Sequence, residues 1–257
     1  MIQNILVAIG SQPYEKNALD YAGHLAVLLG AHHISCVFFQ DRGHGRTELA
    51  EEIANRVLEQ TEAECAQYDF LDYHIETVIG KPSEMICREA RSADLIVIGV
   101  PESMKTDGLK LIYNQIDDVL LHITKPTIVV HEQCTLLRKI LTVHRGDSSS
   151  DRVLELATEL GERAKASLFG LALAETQPQA AQIAQQMKDY LRFHRVQAEF
   201  TTLLGFTVVN VLETATTQDC DLIAISASHH SRLYEMLFQS TTEMVVKLAN
   251  RAVLVVR

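Results

Sequence analysis

Ile5-Leu6-Val7-Ala8-Ile9-Gly10-Ser11 is a short apolar run ending in small residues, and the chain repeats it as Ile140-Leu141-Thr142-Val143-His144-Arg145-Gly146. Each run is followed by a polar break and then by apolar residues at helical spacing. A run of this length bounded by turn residues reads as a buried strand. Two further pieces return in the same order. Asp94-Leu95-Ile96-Val97-Ile98-Gly99 reappears as Asp221-Leu222-Ile223-Ala224-Ile225-Ser226, and Pro126-Thr127-Ile128-Val129-Val130 as Arg251-Ala252-Val253-Leu254-Val255. Ordered repetition along the whole chain implies two copies of one unit. The second copy is shorter between its first and third strands, which places the deletion around its second helix.

Working outward, each copy alternates short apolar runs with helical segments, the signal for a parallel sheet with helices on both faces. In the first copy the pattern predicts strands near 3–9, 34–39, 73–79, 95–99 and 127–131, with helices near 14–29, 46–67, 82–91 and 110–122. In the second it predicts strands near 140–144, 167–173, 197–204, 222–226 and 252–256, with helices near 151–164, 177–193, 207–217 and 233–248. Gly30 is the expected C-cap of the first helix, and the cluster Ser148-Ser149-Ser150-Asp151 suits an N-cap. The expected architecture is therefore α/β, two tandem doubly wound five-stranded parallel sheets. Residues 1–134 and 138–257 form the two domains. The link around Glu132 to Leu137 is too short for the copies to swing freely.

The chain has 257 residues, of which 47% are hydrophobic and 22% charged. Those fractions exclude a disordered, collagenous or disulfide-scaffold chain. A formal net charge of −10 is the wrong sign for wrapping nucleic acid or an anionic bilayer. Five cysteines, Cys36, Cys65, Cys87, Cys134 and Cys220, lack CxxC spacing, so a reducing compartment, the cytoplasm, is expected. The N-terminal apolar run falls far short of the ~20 residues of a membrane span, and no membrane role is expected.

The repeated pattern resembles the universal stress protein family in its tandem, two-domain form. The residues that carry the resemblance are the first-strand run, Gly80-Lys81-Pro82-Ser83, Ala90 and Asp94 to Gly99 in the first copy, and Gly205, Ala215 and Asp221 to Ile225 in the second. The resemblance implies a sheet of the adenine nucleotide α-hydrolase-like type. It also implies that the last strand of each copy, Thr127 to His131 and Ala252 to Arg257, is a pairing edge, so that the halves form an intrachain pseudo-dimer. Burying such edges removes an aggregation hazard.

Family members that bind ATP carry an Asp at the end of strand one and a Gly-x2-Gly-x9-Gly-(Ser/Thr) signature after strand four, where glycine amides and a helix N-terminus approach phosphates. Both copies depart from that pattern. In the first copy Gly10 stands at the Asp position, Gly99 is kept, Glu102 replaces the second glycine, and Asn114-Gln115 replace the Gly-Ser pair two residues late. A carboxylate facing a triphosphate is repulsive. In the second copy Arg145, followed by Gly146, stands at the Asp position, and the loop reads Ser226-x2-His229-x9-Gln239-Ser240. Arg145 cannot accept a hydrogen bond from a ribose hydroxyl. His229, His230, Ser231, Arg232 and Ser240 are donors that could hold an anion there. The ligand-binding candidates are thus Gly10, Gly99, Asn114, Gln115, Arg145, Gly146, Ser226, His229, Gln239 and Ser240, with the second copy preferred for an anionic ligand.

Other features read as structure. The adjacent histidines His229-His230 point in different directions and lack a zinc spacing, so no metal is expected, and His32-His33, after the Gly30 cap and just before a strand, reads as a surface turn. Arg145-Gly146-Asp147 has no adhesion partner in a cytoplasmic chain. No G-x-S-x-G elbow surrounds Ser11 or Ser148 to Ser150, so no catalytic residue is expected. Cys36 and Cys87 read as small buried hydrophobes and Cys134 as an exposed thiol. Ile183, Met187, Tyr190 and Leu191 form a core-facing helical stripe, and Arg42 to Arg46 a polar loop. The function expected from the resemblance is that of a cytoplasmic, non-enzymatic stress-response or regulatory protein. It binds a small anionic molecule or a protein partner, as a monomer with pseudo-dimeric halves or a homodimer, and ATP is disfavoured as a ligand. The alternative is an ATP-binding switch with weak hydrolysis centred on Ser226 to Ser240.

Overall fold

A computed structural model describes residues 2–10, 12–40, 48–68, 71–101, 118–122, 124–131, 137–227 and 241–257. The chain divides into two compact units, Met1–Cys134 and Thr135–Arg257. In the first, β1 (Asn4–Ile9), α1 (Pro13–Leu29), β2 (His33–Gln40), α2 (Glu48–Cys65), β3 (Asp72–Ile79), α3 (Pro82–Glu89), β4 (Leu95–Gly99) and β5 (Thr127–Val130) follow in order. The strands lie side by side as β3-β2-β1-β4-β5, and their pairings are parallel. The second unit repeats this with β6 (Lys139–His144), α4 (Ser148–Ala164), β7 (Ser167–Ala174), α5 (Gln177–His194), β8 (Ala198–Leu204), α6 (Val208–Thr217), β9 (Leu222–Ser226), α7 (Thr241–Leu248) and β10 (Ala252–Val256). Its order is β10-β9-β6-β7-β8, again parallel. The expected α/β architecture of five-stranded parallel sheets holds in both units.

Central strands that are apolar throughout are covered on both faces. All five residues of β4 and of β9 are buried. α1 places Ala18, Leu19, Ala22, Leu25, Ala26 and Leu29 against the sheet, begins with Pro13 in its first turn, and ends at Gly30 with φ 62°. α5 buries Ala180, Ile183, Ala184, Met187 and Leu191, so Ile183, Met187 and Leu191 of the expected stripe lie on the core side, whereas Tyr190 is half-buried. The largest boundary difference from the sequence reading is at the start of α4. α4 starts at Ser148, not 151, and its cap is Asp147, whose carboxylate accepts the Ser150 amide at 2.8 Å. The serines occupy the first turn because the preceding carboxylate is the stronger acceptor for amides exposed at a helix start. Of the helices expected near 110–122 and 233–248, residues 118–122 and 241–248 fall within the described residues and are helical.

The Asp of each repeated Asp-Leu-Ile segment does the same structural work. Asp94 Oδ2 accepts the Gln3 and Asn4 amides at 2.9 and 3.0 Å, while the Asp94 amide donates to Asn4 O at 2.9 Å. Asp221 Oδ2 accepts the Arg138 and Lys139 amides at 2.8 and 2.9 Å, and its own amide donates to Lys139 O at 2.8 Å. Each carboxylate thereby fixes which residue of the first strand stands beside which residue of the fourth: Ile5 opposite Leu95, and Ile140 opposite Leu222. Replacing Asp94 or Asp221 by Ala leaves two amides at a strand entrance without an acceptor and should cost about 2–3 kcal/mol in chemical unfolding. The Asp→Asn variants, which keep one acceptor oxygen, should lose less.

Candidate functional site

In open parallel sheets ligands sit at the C-terminal strand ends where the strand order reverses, here between β1 and β4 and between β6 and β9. The two units fill that position differently. In the first, the residue after β1 is Gly10, and the Glu15 carboxylate occupies the space that a side chain there would take. Glu15 Oε2 accepts the Gln12 amide at 2.8 Å, which closes the first turn of α1. Burial pushes its pKa up, and the hydrogen bond from Gln12 opposes this. Gly99, at the end of β4, has the Tyr14 carbonyl and the Glu15 amide of α1 where a Cβ would stand. The missing side chain at Gly99 thus admits a helix backbone. A cavity of about 250 Å³ remains, with Gly10, Glu15, Lys16, Thr61 and Glu64 in its wall. Lys16 is spent on Glu64 at 2.7 Å.

In the second unit the equivalent pair is Arg145 and Ser226. Arg145 Nη2 donates to Ser226 Oγ at 2.9 Å. The guanidinium carbon lies 4.9 Å from the centre of the Phe206 ring, and Nη2 is 3.5 Å from Asp147 Oδ2. The side chain is 19% exposed. Its Nε, away from solvent, has no hydrogen-bond partner among the described residues. Gly146 takes φ 79°, a conformation that favours glycine, and its Cα faces Ile183 so closely that a Cβ would stand 3.0 Å from that side chain. This left-handed turn sends Arg145 towards Ser226 and delivers Asp147 to cap α4. Ser149 Oγ donates to Asp147 Oδ1 at 2.7 Å. Burial raises the Asp147 pKa, but the hydrogen bonds from Ser149 and Ser150 and the charge of Arg145 outweigh it and hold the carboxyl at about 2.

A cavity of about 570 Å³ opens beside this turn, with Arg145, Gly146 and Phe206 on one side and Gln179, Gln182 and Gln186 of α5 on the other. Glu175 also faces it. A single fixed cation, an aromatic face and three amides spaced along one side of a helix can hold a small anion with a polar body. A second cavity of about 470 Å³ lies across Gly146 and is lined by His144, Asp151, Glu155 and Tyr190, among others.

Gly10, Gly99, Arg145, Gly146 and Ser226 are therefore placed at the strand ends, Gly10 with Gly99 in one unit and Arg145 with Gly146 and Ser226 in the other. Asn114, Gln115, His229, Gln239 and Ser240 lie outside the described residues, as do Glu102, His230, Ser231, Arg232, Ser11 and Cys134. Cys87, read as buried, is half-buried. Residues the sequence reading passed over are Glu15, Asp147, Phe206 and the three glutamines. Phe206 had a weak signal, since Gly205 before it ends β8 with φ 72°. Among the described residues no group of three or more His, Cys, Asp or Glu side chains could hold a metal ion, and no helix is long and apolar enough to cross a membrane.

His144 is buried at the end of β6. Its Nδ1 accepts the Gly146 amide at 3.0 Å, which leaves Nε2 to donate to Asp151 Oδ1 at 3.1 Å. Burial pushes its pKa down, against the pull of Asp151 and Asp147. In the unfolded chain a histidine takes up its proton near 6.5; folded His144 does so only at lower pH. The folded state then binds fewer protons, so this contribution to stability is complete above about 6.5 and is lost as the pH falls below it. Denaturant midpoints taken from about pH 7.5 to about pH 5.5 should fall on acidification, and His144→Gln should flatten that part of the profile.

The chain matches the family model "Universal stress protein family" twice, over residues 1–131 and 137–257. No curated protein sequence matches it. Among solved structures it is similar to a universal stress protein from Archaeoglobus fulgidus, at 15% identity and TM-score 0.82, covering 99% of this chain and 96% of that one. A functionally unknown protein from Pseudomonas aeruginosa matches at 17% identity and TM-score 0.69, covering 99% and 92% of the two chains. The cytoplasmic domain of a prokaryotic cation chloride cotransporter matches at 14% identity and TM-score 0.56, covering 99% and 95%. At such identities the solved structures speak for the fold. With a family match across each half, the chain belongs to the universal stress protein family, in its tandem form.

Proposed function

We propose that this protein is a non-catalytic regulatory member of its family, acting in the cytoplasm, whose second unit holds a small anionic molecule against Arg145. The observation that carries the reading is the Arg145 guanidinium, fixed by Ser226 and Phe206 in the wall of a cavity of about 570 Å³. The part of the guanidinium that stays exposed is a charged donor in the cavity wall, and a carboxylate or phosphate oxygen is the chemistry that pairs with it. The glutamine row of α5 suits hydroxyl or amide groups on the rest of the ligand.

Three features support the contrast with a nucleotide switch. A cation stands where a ribose-binding carboxylate is expected. In the first unit Glu15 brings a carboxylate into the equivalent space, and α1 covers Gly99. A non-enzymatic role is supported by His144, the one histidine beside the site among the described residues, whose two ring nitrogens are both engaged within the fold.

Calorimetric and thermal-shift titration of the full chain with inorganic phosphate, glycerol phosphate, malate, AMP, and ATP with Mg²⁺ tests the reading. Ligand that binds the folded state alone, present at about 100 times its Kd, raises stability by about 2.7 kcal/mol. At least one monoanionic or dianionic member should bind, and Arg145→Ala should weaken it by about 10- to 100-fold, the loss of a charge-assisted contact. Binding unaffected by Arg145→Ala overturns the site, and tight binding of ATP with Mg²⁺ alone, followed by hydrolysis, favours the switch.

A further inference from the structure

The reading above leaves one pair of reactive groups in the first unit unused. Cys36 lies in the middle of β2, fully buried, in register with Val7 of β1 on one side and Ile75 of β3 on the other. Its backbone is held by two neighbouring strands. Cys65 is the last residue of α2, 4% exposed, and is followed by the exposed residues Ala66 and Gln67. The two sulfurs are 4.0 Å apart and both cysteines are free thiols. A disulfide needs them at about 2 Å. The remaining movement falls on Cys65, because the last turn of a helix lacks part of its internal hydrogen bonding and opens more readily than a central strand.

We propose that Cys36 and Cys65 are a redox modification site, forming a reversible disulfide when the protein meets a peroxide and so fastening the end of α2 to the sheet. The Cys65 thiolate attacks the O–O bond, keeps one oxygen as a sulfenic acid, and releases the other as an alcohol or, from hydrogen peroxide, as water. The Cys36 sulfur then attacks the Cys65 sulfur. The S–S bond forms, the sulfenic oxygen leaves as water with the Cys36 proton, and the two cysteines have together lost two electrons and two protons to the peroxide. The roles follow from position. A hydrogen bond from the Cys36 thiol pulls the Cys65 pKa down in spite of burial, whereas that same bond and burial push Cys36 up. Cys65, at the helix end beside solvent-exposed residues, is the attacking sulfur and Cys36 the resolving one. Transient disulfides of this sensing kind are the sort found in reducing compartments.

The link has a place to act. Glu64 directly precedes Cys65, pairs with Lys16 at 2.7 Å, and with Lys16, Glu15 and Thr61 walls the cavity of about 250 Å³. Drawing Cys65 towards β2 pulls on that wall, so the cavity senses the oxidation state.

The test treats the reduced full chain with hydrogen peroxide, blocks remaining thiols, and maps peptides by fragment sequencing, since no cleavable Lys or Arg separates Cys65 from Cys87 before Arg88 when Lys81 precedes Pro82. The expected result is a Cys36–Cys65 linked peptide, an intact mass lower by two hydrogens, and full reversal by dithiothreitol. Cys36→Ala should leave a sulfenic acid at Cys65 that dimedone traps, and Cys65→Ala should leave Cys36 reduced under the same exposure. Native chain in which Cys65 stays reduced, or is oxidised to sulfinic acid with no linked peptide, overturns the proposal; this arm needs no variant to fold.

Discussion

The carboxylates of Asp94 and Asp221 hold the opening amides of the first strand in each unit, and much of the architecture follows from that grip. A parallel pair has no hairpin to set its alignment, and a slip of one residue would turn every side chain to the other face. An acceptor that binds two successive amides at the strand entrance removes that freedom. The alignment set at one end of the sheet then decides what meets at the other. With Ile5 opposite Leu95 and Ile140 opposite Leu222, Gly10 and Gly99 both come under the first turn of α1, and Arg145 comes within reach of Ser226.

From one scaffold the two units have reached opposite electrostatic solutions. With no side chain at Gly10 or Gly99, α1 packs its first turn onto the strand ends and Glu15 fills the vacated space. Its carboxylate, raised in pKa by burial, makes this unit's cavity unsuited to an anion. With Arg145 and Ser226 at those positions, a hydroxyl and an aromatic ring fix a cation beside a larger cavity. The turn at Gly146 also couples the site to the helix behind it. Its amide sets the His144 tautomer, and Asp147 both caps α4 and faces Arg145.

Much of this was legible in the chain itself. The apolar runs Ile5 to Ile9 and Ile140 to Val143 gave strands where they were expected, Gly30 ended α1, and the stripe from Ala180 to Leu191 faced the core. The site was legible as positions. The nucleotide-binding signature of the family it resembles, laid on each copy, points to Gly10, Gly99, Arg145 and Ser226, because departures from a fixed spacing are visible in sequence. Their partners were not visible. Glu15 reaches Gly10 through a helix turn that begins at Gln12, which is not a usual capping residue. Phe206 meets Arg145 from a strand end sixty-one positions away. The start of α4 was misplaced by three residues because serines and an aspartate compete for one role, and the outcome depends on which oxygen reaches the Ser150 amide.

The sequence by itself determined the repeat, the parallel α/β class, the family and the places where it departs from the family's nucleotide-binding pattern, since these rest on local periodicity and on residue types at fixed spacing. Tertiary structure alone decided that Gly99 admits a helix, that Arg145 is braced by Ser226 and Phe206, and that the sulfurs of Cys36 and Cys65 lie 4.0 Å apart. The physical reason is that such contacts join segments far apart in the chain, whose distance is set by strand alignment and helix packing and leaves no mark on either segment's own composition.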